Sequence, residues 1–248
     1  MTRPRLAGID GCPAGWIVCL IAEEGPLDPE IRVVTRLADL FAPGVAPAVA
    51  AIDMPIGLPD HIGPPGRGPE LLVRPMLGER QSSVFSIPSR AAVWAGEGLD
   101  DRAGYAAACA AALATSEPPK KVSKQAFALF PKIREVDRLM RGAAPPALFE
   151  AHPEVAFAVL NAGRPMALPK KVKSRPNPAG LDERRRFLAA LGFAPSFLVD
   201  PPRGAGPDDL LDACVLALVA RRIAAGTAVS FPDPPLRDGR GVAIALHA

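Results

Sequence analysis

From Ala48 to Met54 the chain is apolar throughout except for one aspartate, Asp53. Such a run suits a strand covered on both faces in the middle of a parallel sheet, not the alternating pattern of a half-exposed strand. Three strand-like stretches precede it, at residues 5–10, 16–22 and 31–35, followed by a short helix-like stretch over 37–41. Gly11-Cys12-Pro13-Ala14-Gly15 reads as the turn that joins the first two strands into a hairpin. The order β-β-β-α-β therefore describes an antiparallel meander and then a helical crossover. Crossovers are right-handed and sequential elements stay close, so the fourth strand belongs beside the first and parallel to it. Asp10 and Asp53 each follow an isoleucine at the carboxyl end of their strand. On neighbouring strands about 4.8 Å apart, the two carboxylates can share a cation.

Beyond Pro55 the pattern breaks into a Pro/Gly-rich loop over 57–69 and helices near 70–80, 100–115 and 125–140, read as an insertion spanning 57–146. The sheet is expected to resume with a strand over 147–151. Helices follow at 153–161 and 182–191, and a long one runs from 208 to 225 with Asp208 as its cap, Arg221 and Arg222 in its last turns and Gly226 just beyond. With 248 residues, 49% of them hydrophobic and 22% charged, the chain can bury a full core, which excludes a disordered protein. The expectation is one α/β domain over 1–248 carrying that insertion.

Asp209 and Asp212 stand three residues apart, on one face of an otherwise apolar helix. Asp209 is close enough to the N-terminus to serve only the helix dipole, whereas Asp212 lies past the turn where that effect fades. Isolated buried carboxylates are costly, and hard oxygen ligands are what Mg²⁺ or Mn²⁺ prefers, so Asp10, Asp53, Asp209 and Asp212 form a candidate metal-binding and catalytic set. Glu150 interrupts a strand pattern and is a further catalytic candidate, with a salt-bridged or solvent-facing role as the alternative. His152 reads equally as proton carrier, core residue or helix cap. Candidate phosphate contacts are Ser82 and Ser83, Lys124 and Gln125, Lys132, Lys170 and Lys171, in loops or basic stretches; helix capping and solvated faces are the alternatives. The formal net charge of +3 is too small to indicate a nucleic-acid partner by itself. Four cysteines without a C-x-x-C pair, no apolar leader and no run of about 20 apolar residues point to a reduced, cytoplasmic setting and no membrane partner.

The segments Gly8-Ile9-Asp10-Gly11-Cys12-Pro13-Ala14-Gly15-Trp16, Ile52-Asp53-Met54-Pro55-Ile56-Gly57-Leu58-Pro59, Ser82-Ser83-Val84-Phe85, Lys132-Ile133-Arg134-Glu135-Val136-Asp137, Glu150-Ala151-His152-Pro153-Glu154 and Asp208-Asp209-Leu210-Leu211-Asp212-Ala213 together resemble the DUF429 family. The resemblance covers nearly the whole chain. It implies a ribonuclease H-like α/β fold, a mixed five-stranded sheet flanked by helices, and a predicted nuclease. In that superfamily an aspartate on the first strand, an acid at the end of the fourth and acids on a late helix hold the metal; by motif these are Asp10, Asp53 and Asp209 with Asp212. Glu150 has no counterpart in the pattern. The expected activity is metal-dependent, two-metal hydrolysis of phosphodiesters in DNA or RNA. The alternatives are an actin-like or sugar-kinase-like ATP-dependent phosphotransferase, and a non-catalytic nucleic-acid-binding module.

Overall fold

A computed structural model of the protein describes residues 5–173 and 175–248. Residues 1–4, part of the stretch read above as lacking a leader, lie outside the described residues. Three strands form the meander: β1 (Arg5–Cys12), β2 (Gly15–Ala22) and β3 (Glu30–Val34). Their hairpin turn is tighter than the sequence suggests, because Cys12 pairs with Gly15 and only Pro13 and Ala14 remain between them. Gly15 takes φ +133°, a backbone region open to glycine and strained for other residues. The short helix α1 (Leu37–Leu40) leads to β4 (Val49–Ile52), which pairs parallel to β1 in the register Ile9 to Ile52.

Five helices lie between β4 and the next strand: α2 (Pro69–Val73), α3 (Arg90–Trp94), α4 (Asp101–Ala114), α5 (Lys124–Ala128) and α6 (Phe130–Met140). The helix expected near 70–80 is α2 followed by a 3-10 stretch, Arg74–Ser83, broken at Gly78 with φ 52°. The single helix expected over 125–140 is two, since Pro131 opens the second and cannot continue the hydrogen-bond ladder of the first. Next come β5 (Leu148–Glu150), α7 (Pro153–Leu160), the two-residue strands β6 (Lys171–Val172) and β7 (Arg175–Pro176), α8 (Pro178–Ala190) and α9 (Pro207–Ala224). A C-terminal hairpin, β8 (Ser230–Arg237) and β9 (Ala243–His247), is an element that sequence reading does not foresee.

The main sheet has the order β3-β2-β1-β4-β5, antiparallel through the meander and parallel from β1 to β5. One face carries α7, α8 and α9 over a core that includes Leu6, Ile17, Phe157 and Leu211. The other is covered by α1 and the insertion helices over Ile9, Trp16, Ile52 and Phe130. Helix α9 is apolar nearly all round from Leu210 to Ala220 because it lies against β1, β2 and β4 on one side and α7 and α8 on another. Among the described residues no helix is long and apolar enough to cross a membrane.

Candidate functional site

The parallel pairing of β1 with β4 sets the site. Asp53 N donates to Ile9 O at 2.9 Å, so Asp10 and Asp53 stand side by side just past the last pair of the parallel ladder, Ile9 and Ile52, while Asp10 stays paired with Ile17 of β2. Asp10 is 8% exposed and its Oδ1 accepts from the Gly11 N–H at 2.7 Å. Helix α9 brings the third acid. It approaches β1 at Gly8, where an added Cβ would stand 2.1 Å from both Ala213 O and Ala217 N. That close approach carries Asp212, 1% exposed, to the same end of the sheet.

The electrostatics record the gathering. Burial, then Asp212 and Asp53, push the Asp10 carboxyl well above its ordinary range. Burial, reinforced by the Glu154 carboxylate, outweighs Lys170 at Asp53 and at Asp212, and each is pushed up to about 6. The Lys170 ammonium pairs with Asp212 Oδ2, and although burial disfavours its charge, Asp212 and Asp10 hold its pKa above the ordinary lysine value. Asp212 Oδ1 is buried with no hydrogen-bond partner among the described residues. Three acids therefore face one resident cation.

The remaining candidates divide. Asp209 is placed as a cap: its Oδ2 accepts from Gly206 N at 2.8 Å, and Gly206, not Asp208, is the capping residue of α9. Asp208 instead lies in the first turn and pairs with Lys171 at 2.5 Å. Asp209 still adds to the field that raises Asp10. Glu150 lies on the wall of a cavity it shares with Asp10 and Asp53, and is held there in a buried ion-pair cluster. Arg67 donates to its Oε1 at 2.5 Å and Oε2 at 2.9 Å, and Ile56 N donates to Oε2 at 2.8 Å. Its alternative role, a salt-bridged residue, is the one the structure displays.

Lys170 and Lys171, expected to grip phosphate, are engaged by Asp212 and Asp208. Lys124 lies 3.6 Å over the ring of Tyr105, while Ser123 caps α5 by accepting from Ala126 N at 3.1 Å. Lys124 and Gln125 are exposed and line no cavity with the acids. Ser82 is also exposed. Lys132 and Ser83, by contrast, line a cavity of about 180 Å³ together with Asp10 and Asp53. The Lys132 ammonium is held by Gly15 O at 2.5 Å and stands 4.6 Å from the Trp16 ring. His152 lines this cavity too, and burial and Lys170 lower its pKa, so its ring is neutral near pH 7. Sequence reading misses Arg67 and Glu70, which are also on the wall. The one available signal is Glu150 itself, a carboxylate in an apolar strand that demands a buried cation.

Among the described residues no group of three or more His, Cys, Asp or Glu side chains is arranged to hold a metal ion as it stands. The donor chemistry nevertheless fits a hard divalent cation, with carboxylates from β1, β4 and α9 and one orphaned buried oxygen on Asp212. Fold and site thus define a mixed α/β protein with an acidic centre where two parallel strands end beside a buried helix. The chain belongs to the family described as protein of unknown function (DUF429), which it matches over residues 8–237. Comparison with curated proteins and with solved structures gives no match.

Proposed function

We propose that this protein is a divalent-metal-dependent hydrolase of nucleic-acid phosphodiesters, built on a ribonuclease H-like version of the mixed sheet. The observation that carries the reading is the convergence of Asp10, Asp53 and Asp212 from three elements, each pushed up by burial. A structural ion pair needs one acid per base; here three acids meet one lysine, which leaves negative charge to be met by something else. Mg²⁺ or Mn²⁺ held by these acids would supply an activated water and charge neutralisation at the leaving oxygen.

The chain's own groups do the rest. Asp10, flanked by the other two acids, is the natural shared ligand. Lys132, fixed by the Gly15 carbonyl on the same cavity wall, offers a positive charge to a phosphate entering beside Asp10 and Asp53. Lys170 balances the acids before a cation arrives.

Purified protein incubated with Mg²⁺ or Mn²⁺ and single-stranded, duplex and branched DNA and RNA tests the reading. Cleavage that EDTA stops and that Asp10→Asn reduces at least about a hundredfold, with an unchanged melting curve, is expected. No cleavage by the wild type, or undiminished cleavage by Asp10→Asn, overturns it.

A further inference from the structure

The backbone of residues 167–170, an irregular and partly exposed segment just before β6, is held by side chains where water would serve. Glu183 on α8 accepts from Ala167 N at 2.8 Å and from Leu168 N at 2.9 Å. Arg80 donates to Ala167 O at 2.6 Å, Arg184 to Leu168 O at 2.9 Å, and the Asn177 side chain to Pro169 O at 2.7 Å. Asn177 N donates to Lys170 O at 2.9 Å. Every carbonyl from Ala167 to Lys170 is thus engaged. Gly180 lets α8 come this close, since an added Cβ would stand 2.0 Å from Pro169 O. The clamp is itself anchored in the core: Arg184 is fully buried, and Glu154 on α7 neutralises it through both carboxylate oxygens.

What a segment fastened in this way positions is its last residue. Lys170 reaches Asp212 Oδ2, within the field of Asp10 and Asp53. Asp10 and Asp53 open on the cavity of about 180 Å³, whereas Asp212, 1% exposed, does not line it and has Lys170 as its partner. Charge sets how much more the centre can take. The other acids nearby are already paired, Glu154 with Arg184, Asp208 with Lys171 and Asp209 with the Gly206 N–H. Three ionised carboxylates and one ammonium leave two negative charges, which a single divalent ion cancels. A pair of ions about 3.5–4 Å apart would bring four positive charges against those two, beside a lysine that the clamp keeps in place.

We propose that Lys170 is a fixed part of the acid centre that stands in for a second metal ion, so that the site takes one Mg²⁺ or Mn²⁺, on the side of Asp10 and Asp53, and not the pair expected of a two-metal hydrolase. Lys170 is then a positioning and charge-balancing residue, not a plug that the ion expels. The proposal rests on the hydrolase reading, which supplies the metal, and adds the number of ions.

Titration of the full chain with Mn²⁺, the free ion being followed by electron paramagnetic resonance, counts the ions without any cleavage; sites that persist in Asp10→Asn are subtracted. The wild type and Lys170→Arg are expected to bind about one ion per chain and Lys170→Met about two, the second ion taking the place of the lost ammonium. Should Lys170→Met fail to fold, Lys170→Gln takes its place, and the wild-type count decides regardless. No ion or two ions in the wild type overturns the proposal. So does a single ion in Lys170→Met, even one bound more tightly, since lysine and ion would then be competing for one position. Cleavage by a wild type that binds two ions removes the fixed lysine and leaves the hydrolase; a count that rises from one to two on loss of the lysine, with no cleavage of any nucleic acid, does the reverse.

Discussion

Lys170 and Glu150 show how one residue's partner decides its role. Lys170 is the cation nearest three buried acids, so replacing it with Met leaves Asp212 without its ion-pair partner. Losing one side of a buried pair costs about 3–5 kcal/mol, and because the Lys170 side chain is 25% exposed the low end or less is expected here, about 2 kcal/mol. Mn²⁺ should then raise the melting temperature of Lys170→Met more than that of the wild type, as the ion takes over the missing charge. Thermal melts with and without MnCl₂ check this, and an equal Mn²⁺ shift in both proteins contradicts a shared cation position. Glu150 behaves oppositely, because Arg67 and Ile56 N occupy both of its oxygens. Glu150→Gln is expected to lose about 3 kcal/mol in urea unfolding, by leaving Arg67 short of countercharge, while the folded variant retains its cleavage rate. Unchanged stability with lost cleavage would return Glu150 to the catalytic acids.

Among elements, the contact of β1 with α9 matters most for the site. Gly8 is the reason they can touch, since any side chain there meets the α9 backbone at Ala213 and Ala217. Gly8→Ala must therefore push the helix outward and take Asp212 from Asp10 and Asp53. We expect a loss of at least about 3 kcal/mol and, in whatever folds, a steep fall in metal-dependent cleavage; urea unfolding and rate measurements check both. What Gly8 makes room for is not legible in the sequence, where it falls within the strand expected over 5–10 and nothing marks α9 as its neighbour. The parallel pairing of β1 with β4 is legible, because an apolar run such as Ala48–Ile52 after a meander and a crossover has few places to go. Helix α9 is legible for a similar reason: its apolar length ends in Arg221, Arg222 and Gly226, and its observed bounds shift by one residue. The β8–β9 hairpin is not, because Pro232, Pro234 and Pro235 interrupt the strand signal. Nor is the Lys170–Asp212 pair, whose members are 42 residues apart and meet only when α9 is docked.

Across the whole molecule, buried ion pairs tie the elements between β4 and β5, and the C-terminal hairpin, to the sheet that holds the acids. Arg184 grips Glu154 at 2.6 and 2.8 Å, joining α8 to α7. Arg67 links the loop before α2 to β5 through Glu150. Arg90 on α3 reaches both Asp137 on α6 at 3.0 Å and Asp238, in the turn after β8, at 2.6 Å. Asp238 further accepts from Leu58 N at 3.1 Å, so the terminal hairpin is fastened to the loop that leaves the site. Burial works to raise the Asp238 carboxyl, but Arg90 and the N–H groups of Arg240, Leu58 and Val242 outweigh it and hold its pKa below the ordinary 3.8. A depressed carboxyl stabilises the fold fully above its unfolded value and loses that contribution as pH falls through the folded one. The stability gap between wild type and Asp238→Asn should accordingly stay level from about pH 7 to 5 and close only below about pH 4, where the wild-type carboxyl takes up its proton. Urea midpoints measured across that range decide the matter. A gap that closes already near pH 6 would show that Asp238 is not held in its charged form by these four donors, and that the hairpin is fastened by something else.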